Sequence, residues 1–325
     1  MVKLVLRSIR GKSYAYLEET IRIYGFVRKI SKYIGPYAKL NKKEINEGKE
    51  IFKKEVFEKK IKLKIGYLKK KIREFEYPLD SKEVRKIEEM NFKYKEIIKK
   101  LHTSNLEDLN KRFIANYVFE SNALEGNSLT LKNVAEIVFE KRISKGKDLR
   151  EIYDAQNSYG VFLFLQRSRK ELSHDFIIKI HSMVMEKIDD RLGYRKLPAV
   201  LIGKPTTKLT KPGRIFEEMN NLLSWYKKNK NKIYPLELAF KFHAKFEKIH
   251  PFSDGNGRVG RFLLNYILMK EGYFPIIIRK NTRNSYLNAL EVADKGIRIV
   301  LMRFALKHYK ETFRKFFEVY YSYTQ

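Results

Sequence analysis

The sequence predicts a mainly α-helical protein: an all-helical fold with a β-hairpin flap, preceded by a small three-stranded β-meander plus helices. Three observations support this fold class. The first 40 residues contain short runs rich in Val, Ile, Tyr and Leu that are separated by glycines. From residue 106 onward, apolar residues recur at helical spacing. One interruption, residues 196–212, has the pattern of a hairpin between two helices.

The meander is predicted to form a separate small module, residues 1–40. Gly11 lies between its first two strands, Gly25 lies near the second break, and Gly35 stands at its end. A ribbon of this size has one face to bury and needs a partner surface.

Residues 41–104 are predicted as a charged helical connector. Its second part begins at Ser81, which we expect to be a helix N-cap. Behind it, residues at alternating spacings of three and four form one narrow seam that is suited to packing on the next domain. The seam residues are Val84, Ile87, Asn91, Tyr94, Ile98 and Leu101.

Residues 105–325 are predicted as a helical domain around the hairpin at 196–212. Apolar spacing places its helices near 106–124, 130–142, 148–168, 174–188, 214–229, 235–249, 258–271, 282–294 and 297–318.

The composition excludes several classes of protein. The chain has no cysteine, so disulfides, thiolate metal sites and a cysteine nucleophile are excluded. The longest strongly apolar run, Val161–Leu165, is far shorter than the roughly 20 residues of a membrane helix. The first twelve residues contain too short an apolar segment for a secretory signal. These features predict a cytoplasmic protein without a membrane partner.

A net charge of +31 raises the question of nucleic acid. Such a field attracts polyanions without specificity at low salt, and it does not identify a binding face. A lysine-rich solvated surface explains the same count.

The run GNGRVG at residues 255–260 fits G-x-G-x-x-G, the phosphate-binding turn of dinucleotide folds. That fingerprint must follow a strand inside a βαβ unit. Upstream, however, Phe242 and Phe246 belong to an apolar pattern at helical spacing that begins at Pro235, where a helix tolerates proline. A helix therefore precedes the glycines, and the dinucleotide-fold interpretation fails.

The chemistry of this helix–loop–helix indicates phosphoryl or nucleotidyl transfer. Two glycines, Gly255 and Gly257, permit a turn whose amides point into one concavity at a helix N-terminus, where anions bind. Arg258 and Arg261 share a helix face and can bind phosphate oxygens. A hard oxygen for Mg²⁺ comes from the Asp254 carboxylate. At the end of the preceding helix, His250 can accept a proton near neutral pH.

These residues resemble a known family. HPFSDGNGRVGR, residues 250–261, matches the Fic signature H-P-F-x-[D/E]-G-N-G-R-x-x-R at every specified position. GYR at 193–195 and RNSYLNAL at 283–290 look like the family's flanking segments, so the resemblance covers about residues 105–325. It implies a Fic fold and the transfer of AMP from ATP to a Ser, Thr or Tyr hydroxyl of a protein, or of the chain itself.

The resemblance also implies a role for each site residue. By the family's roles, His250 is the general base and Asp254 is the Mg²⁺ ligand. The hairpin at 196–212 is the flap that aligns a target segment by strand pairing. The nucleotide-binding set is Gly255, Asn256 and Gly257 at the α- and β-phosphates, with Arg258, then Arg261 at the γ-phosphate, and Tyr286.

A second motif, SNALEGN at residues 121–127, ends the helix predicted at 106–125. Ser121 and Glu125 share a helix face, and Gly126 is a natural C-terminal stop. The motif resembles the family's inhibitory sequence [S/T]-x-x-x-E-[G/N]. That resemblance implies a self-inhibited enzyme in which Glu125 pairs with Arg261 and blocks the γ-phosphate.

Several alternatives stay open at the level of sequence. The same site could remove AMP from a protein, or transfer another phosphate-linked group. The basic N-terminal module could instead bind nucleic acid, as β-ribbon readers do, in a regulator. The expected partners are ATP, Mg²⁺ and a protein substrate, and the sequence leaves a homodimer open.

Overall fold

The computed structural model describes residues 2–23, 26–71, 78–142, 145–199 and 209–324. It has two compact units, Met1–Glu74 and Phe75–Gln325. The boundary lies inside the predicted connector, 41–104. The division into three domains at residues 40 and 104 stays a prediction.

The first unit contains a three-stranded antiparallel sheet in the order β1-β2-β3. Its strands are β1 (Lys3–Ile9), β2 (Lys12–Ile23) and β3 (Phe26–Pro36). The turn between β1 and β2 has two residues, Arg10 and Gly11, and both have positive φ. A two-residue turn of this kind matches the twist of the flanking strands, which explains the glycine.

One face of the sheet packs against a long helix, α1 (Lys42–Lys71). Side chains two residues apart point to the same face of a strand, so Leu17 and Ile21 of β2 are buried together. They pack with Phe52 and Val56 of α1. The unit therefore has a small core of its own.

In the described residues of the second unit, the regular elements are helices. Its helices are α2 (Ser81–Lys100), α3 (Thr103–Leu124), α4 (Leu131–Ala135), α5 (Leu149–Arg167), α6 (His174–Met185), α7 (Ile215–Asn229), α8 (Pro235–Ile249), α9 (Asn256–Lys270), α10 (Arg283–Asp294), α11 (Ile299–Thr312) and α12 (Glu318–Ser322). Short π-helical turns, Glu136–Glu140 and Phe313–Phe317, continue α4 and α11.

Helix α9 lies at the centre of the second unit. Every residue from Arg258 to Leu268 is buried, and α9 contacts α3, α5, α6 and α8. A helix buried on all sides needs apolar residues all round, which FLLNYILM largely provides. Because two arginines also lie on this buried helix, its N-terminal end must hold compensating groups.

Helix α2 packs on the rest of the second unit through a buried polar group. The Glu88 carboxylate accepts a hydrogen bond of 2.8 Å from the Tyr234 hydroxyl and another from the Tyr273 hydroxyl. Beside it, the Asn91 side chain donates to the Gly272 carbonyl at 3.1 Å. A buried carboxylate with two hydroxyl donors is compensated, and it fixes the position of the helix.

Two details of α2 differ from the sequence prediction. Asp80, and not Ser81, is the N-cap, because its side chain accepts the Glu83 N–H at 2.7 Å. Near the end of the seam Ile97 is buried, whereas Ile98 is 39% exposed. A straight helix drifts from a strict 3.5-residue repeat, so the buried face shifts by one residue.

The predicted fold class is confirmed: the protein is mainly helical, with a small three-stranded antiparallel sheet at its N-terminus. Most of the predicted hairpin, residues 200–208, lies outside the described residues, so the flap stays a prediction. Within the described ranges, no helix is long and apolar enough to cross a membrane.

Candidate nucleotide-binding site

The loop between α8 and α9 is held by contacts with its own backbone. His250 ends α8 in the left-handed region, with φ +51°, and its N–H donates to the Phe246 carbonyl at 3.0 Å. Two residues later the Phe252 ring is fully buried and stacks on His181 with 3.8 Å between ring centroids. This aromatic anchor fixes the loop at the end of α8.

The side chain of Asn256 closes the loop. Its amide oxygen accepts the Phe252 N–H at 2.9 Å, and its amide nitrogen donates to the Phe252 carbonyl at 2.8 Å. Because both polar atoms of this side-chain amide are bonded to the loop, an anion is left with the main-chain N–H of Asn256, which belongs to the first turn of α9. The predicted phosphate contact of Asn256 is therefore available through its backbone.

Steric contacts explain why both positions of the turn are glycine. Gly255 has φ +77°, and a Cβ there would lie 2.9 Å from the Met185 sulfur. At Gly257 a Cβ would lie 2.2 Å from an oxygen of Glu125. The N–H groups in the first turn of α9 have no helical acceptors. Because Gly255 and Gly257 lack side chains, the backbone surface is bare at this point. The Glu125 carboxylate lies directly on that surface.

Arg261 connects α9 with the end of α3. Its guanidinium lies 2.7 Å from Glu125 Oε1 and donates to the Ser121 hydroxyl at 3.0 Å and to the Ser121 carbonyl at 2.8 Å. The Arg261 side chain is 4% exposed, and the Glu125 side chain is 42% exposed. The structure thus brings together the three residues that the sequence placed in an inhibitory contact.

The electrostatics of this pair are mutual. Burial by itself would raise the pKa of Glu125, but the charge and hydrogen bond of Arg261, together with two further arginine charges nearby, lower it. Burial would lower the pKa of Arg261, and the charge of Glu125 raises it instead. The pair is therefore ionised at neutral pH.

Arg258 is also buried, and it pairs with Asp154 of α5. Burial lowers the pKa of Arg258 to about 10, which leaves it charged at neutral pH. Its guanidinium also lies 3.6 Å from Asp254 Oδ1. The two signature arginines therefore lie on the buried side of the glycine turn.

Asp254 stands at the rim of the turn, with its side chain 37% exposed. One carboxylate oxygen pairs with Arg150 of α5, and the other accepts the Gly255 N–H at 2.5 Å. Among the described residues, no group of three or more His, Asp and Glu side chains could enclose a metal ion. A single carboxylate fits Mg²⁺ when substrate phosphates and water supply the other ligands.

The surroundings of His250 favour the neutral form of its imidazole. Burial, and then the positive charge of Arg195, lower the pKa of His250 to about 4. A neutral imidazole at the end of α8 can accept a proton at physiological pH.

Tyr286 is the one predicted nucleotide contact that lies outside the 250–261 motif. It belongs to α10, it is buried, and its hydroxyl lies 2.5 Å from His243 Nε2. Burial raises the pKa of Tyr286, so the hydroxyl stays protonated. In this structure Tyr286 supports the buried side of α8 and α9.

Comparison with known proteins identifies a domain within the chain. The model of the Fic/DOC family matches residues 171–268. The chain contains a Fic domain. A structure of a Fic domain containing signaling protein from Bacteroides thetaiotaomicron superposes with a TM-score of 0.67 at 22% identity and covers 73% of this chain and 98% of that chain. At this identity the similarity shows the fold.

Curated relatives of the Fic domain carry an activity in their names. Protein adenylyltransferase fic-1 of Caenorhabditis elegans is 27% identical over 245 residues, which are 73% of this chain and 47% of that protein. Protein adenylyltransferase Fic of Nematostella vectensis is 33% identical over 187 residues, which are 55% of this chain and 43% of that protein. The chain thus spans less than half the length of these curated relatives. A structure of Fic-1 from C. elegans has a TM-score of 0.66 at 25% identity and covers 75% of this chain and 74% of that chain.

Arg195, within GYR, is a residue of the Fic domain to which sequence reasoning gave no role. Its guanidinium donates to the carbonyls of His250 at 2.8 Å, Leu197 at 3.0 Å and Thr210 at 2.5 Å. Its own N–H donates to the Pro251 carbonyl at 2.8 Å. Arg195 therefore joins both ends of the 197–210 segment to the turn that carries His250.

Glu247 was also missed, although its position on the buried face of α8, one turn before His250, was a signal. Its carboxylate is packed against Gly260, where a Cβ would lie 2.3 Å from Oε1, and lies 3.9 Å from His243 Nδ1. Burial, and then the charge of Glu125, raise the pKa of Glu247 to about 8. A neutral carboxylic acid thus lies behind the Arg261 pair at pH 7.

Replacing Arg195 by Lys should destabilise the Fic domain. In Arg195 three different nitrogens each donate to a different carbonyl, and the single nitrogen of a lysine cannot take all three positions. We expect the free energy of unfolding in urea to fall by about 1–3 kcal/mol. Arg191→Lys is the matched control, because Arg191 is exposed and pairs with Asp189 nearby. An equal effect of the two variants would contradict the inferred role of Arg195.

Replacing Glu247 by Gln should remove a pH-dependent loss of stability. Between its ordinary value of 4.5 and the folded value of about 8, only the folded protein holds this proton, so rising pH destabilises the parent. Glutamine does not ionise. The stability of Glu247→Gln relative to the parent should therefore increase from about pH 5 to about pH 8, as measured by urea midpoints.

The control for this measurement is Glu217→Gln, at a side chain that is 62% exposed. It removes one carboxylate without touching the buried cluster. A difference between Glu247→Gln and the parent that stays constant over this pH range would show that Glu247 ionises as it does in the unfolded chain.

Proposed function

We propose that the protein is a self-inhibited protein adenylyltransferase, which transfers AMP from ATP to a Ser, Thr or Tyr hydroxyl of a protein target, including residues of its own chain. The observation that carries the proposal is the arrangement at one end of α9. A neutral imidazole stands beside a bare glycine turn, and two buried guanidiniums lie behind the turn. Positioned cations and amides of this kind stabilise the charge of a phosphate in transfer.

The phosphates of ATP bind at the turn. The N–H groups of the first turn of α9, beginning at Asn256, point toward the incoming anion. Arg258 lies next to this surface and neutralises charge on the α- and β-phosphates. Arg261 binds the γ-phosphate once its guanidinium is released from Glu125. Each contact uses a group whose position is already fixed by the fold.

The transfer step uses His250 as the general base. Its imidazole accepts the proton of the target hydroxyl while the hydroxyl oxygen attacks the α-phosphorus of ATP. The bond from the α-phosphorus to the oxygen that bridges to the β-phosphate breaks, and pyrophosphate leaves. The product is a phosphodiester between AMP and the target side chain. Arg195 holds the His250 carbonyl and so fixes the base during this step.

Asp254 is the residue that would hold Mg²⁺. Its carboxylate is accessible at the rim, and one oxygen would have to exchange its ion pair with Arg150 for the metal. When bound, the ion would neutralise phosphate charge that the arginines do not reach.

Self-inhibition follows from the position of Glu125. Its carboxylate lies on Gly257, at the place where a phosphate must approach, and it pairs with Arg261. A second anion there would meet a like charge and a guanidinium that is already bonded. The triphosphate therefore binds in a productive orientation only after Glu125 has moved.

We expect the full chain to incorporate label from α-labelled ATP into protein, and none from γ-labelled ATP. His250→Ala should reduce the rate of labelling at least about 100-fold, because a general base contributes roughly that factor. The measurement is autoradiography with both labels in the Glu125→Gly background. Label from the γ-phosphate would identify a kinase and refute the reaction.

Glu125→Gly should raise the transfer of AMP by about tenfold or more, because it removes the carboxylate that lies on Gly257 and frees the Arg261 guanidinium for a phosphate; a tenfold change corresponds to about 1.4 kcal/mol. Glu120→Ala is the control on the same helix. The Glu120 carboxylate accepts a hydrogen bond of 2.8 Å from the Lys280 N–H and is not part of the glycine turn. Transfer in both variants is measured at saturating ATP. If Glu125→Gly labels no more protein than Glu120→Ala, self-inhibition is wrong.

Related reactions would use the same residues. Removal of AMP from a modified protein, or transfer of another phosphate-linked group, needs the same base and anion site, and mass spectrometry of the modified protein distinguishes them. A cytoplasmic location, a homodimer and nucleic-acid binding by residues 1–40 stay predictions from the sequence.

A further inference from the structure

The first unit contains a groove that the proposed reaction does not use. It is a cavity of about 770 Å³ between strand β3 and helix α1. From β3 it is lined by Arg28, Lys29, Ile30 and Ser31, and from α1 by Lys59, Lys62, Leu63, Gly66, Tyr67 and Lys70.

The walls of this groove are cationic. Of the ten described residues that line it, five are Lys or Arg and none is Asp or Glu. Lys29 pairs with Glu18 at 2.5 Å. For Lys59, Lys62 and Lys70, the described part of the chain provides no ion pair. These three exposed lysines lie on one stripe of α1, so their charge faces whatever occupies the groove.

The strand side of the groove is a sheet edge. Within the described residues β3 pairs with β2 alone, so its other edge carries N–H and C=O groups without a strand partner. Four consecutive residues, 28–31, line the groove. Side chains alternate between the two faces of a strand, so a consecutive run means that the backbone edge itself faces the cavity. Such an edge can accept one further extended segment.

The floor of the groove is apolar. Ile30 is buried, and Leu63 and Tyr67 are partly buried beside it. A nucleic acid backbone could use the lysines, but it would leave both the strand edge and this apolar floor without partners. An extended peptide can contact the strand edge, the apolar floor and the lysines together. Its backbone pairs with β3, alternate side chains reach the floor, and the other side chains meet the lysines.

We propose that this groove binds an extended acidic segment of a partner protein as an additional strand on β3. The α1 residues that line it run from Lys59 to Lys70, a rise of about 16 Å along the helix. An extended chain covers that length with about five residues. The recognised segment therefore alternates acidic and apolar residues over about five positions. The proposal concerns binding by the first unit and holds whether or not the Fic domain transfers AMP.

The probe is a fluorescein-labelled peptide of about nine residues that alternates Glu and Val. Its binding to the full chain is followed by fluorescence anisotropy at low salt, about 50 mM, and at about 300 mM. A peptide that alternates Glu and Pro carries the same charge but cannot donate every backbone hydrogen bond of a strand. We expect the Glu–Val peptide to bind at least about tenfold more tightly than the Glu–Pro peptide.

Two pairs of variants locate the site. Lys62→Glu, in the groove, should weaken binding of the Glu–Val peptide by about tenfold or more, whereas Lys69→Glu, exposed on α1 outside the groove, changes the net charge equally and should have less than about a twofold effect. Gly66 faces open space, so Gly66→Glu adds a carboxylate without a clash, and Gly66→Ala is its control. Circular dichroism verifies that each variant is folded.

Three results would overturn the proposal. The first is equal binding of the Glu–Val and Glu–Pro peptides, which would exclude strand addition. The second is equal binding by Lys62→Glu and Lys69→Glu, which would place the site elsewhere. The third is tighter binding of a duplex DNA of about 20 base pairs than of the peptide, lost in Gly66→Glu but kept in Gly66→Ala. That result would identify a nucleic-acid groove.

Discussion

The guanidinium of Arg261 is almost fully buried, and a buried charge has to be paired. Glu125 and Ser121, at the end of α3, supply that pairing. This requirement brings the end of α3 against the glycine turn at the start of α9. The cation that would bind the last phosphate of a nucleotide is therefore the same cation that contacts the end of α3 in this structure. The proposed inhibition and the packing of α3 against α9 therefore involve the same ion pair.

The loop between α8 and α9 is held in place by hydrogen bonds to its own backbone. Its own polar groups are used to hold it: the Asn256 side chain bonds to both main-chain groups of Phe252, and Arg195 bonds to the carbonyl of His250. These contacts do not use the N–H groups in the first turn of α9, which have no acceptor within the helix. A site that is preorganised in this way needs little reorganisation to receive an anion. The buried neutral acid of Glu247 adds no charge that would oppose it at neutral pH.

Helix positions in the second unit could be predicted because apolar spacing is a local property, recorded within each segment. Boundaries were less certain: Asp80 rather than Ser81 caps α2, and Ile97 rather than Ile98 is buried near its end. Both depend on how the helix rotates against its neighbours. The polar contacts of Glu88 with Tyr234 and Tyr273 could not be predicted, because the partners come from distant parts of the chain.

The sequence by itself determined the helical class, the N-terminal meander and the residues of the glycine turn. The first two follow from periodicity, and the third follows from one contiguous motif of twelve residues. Only the tertiary structure decided which groups surround that turn. Ser121 lies 140 positions before Arg261, and Arg195 lies 55 positions before His250. The basic groove likewise exists only where β3 meets α1. Such contacts arise from chain folding, because burial and charge compensation select partners by distance in space and not by separation along the chain.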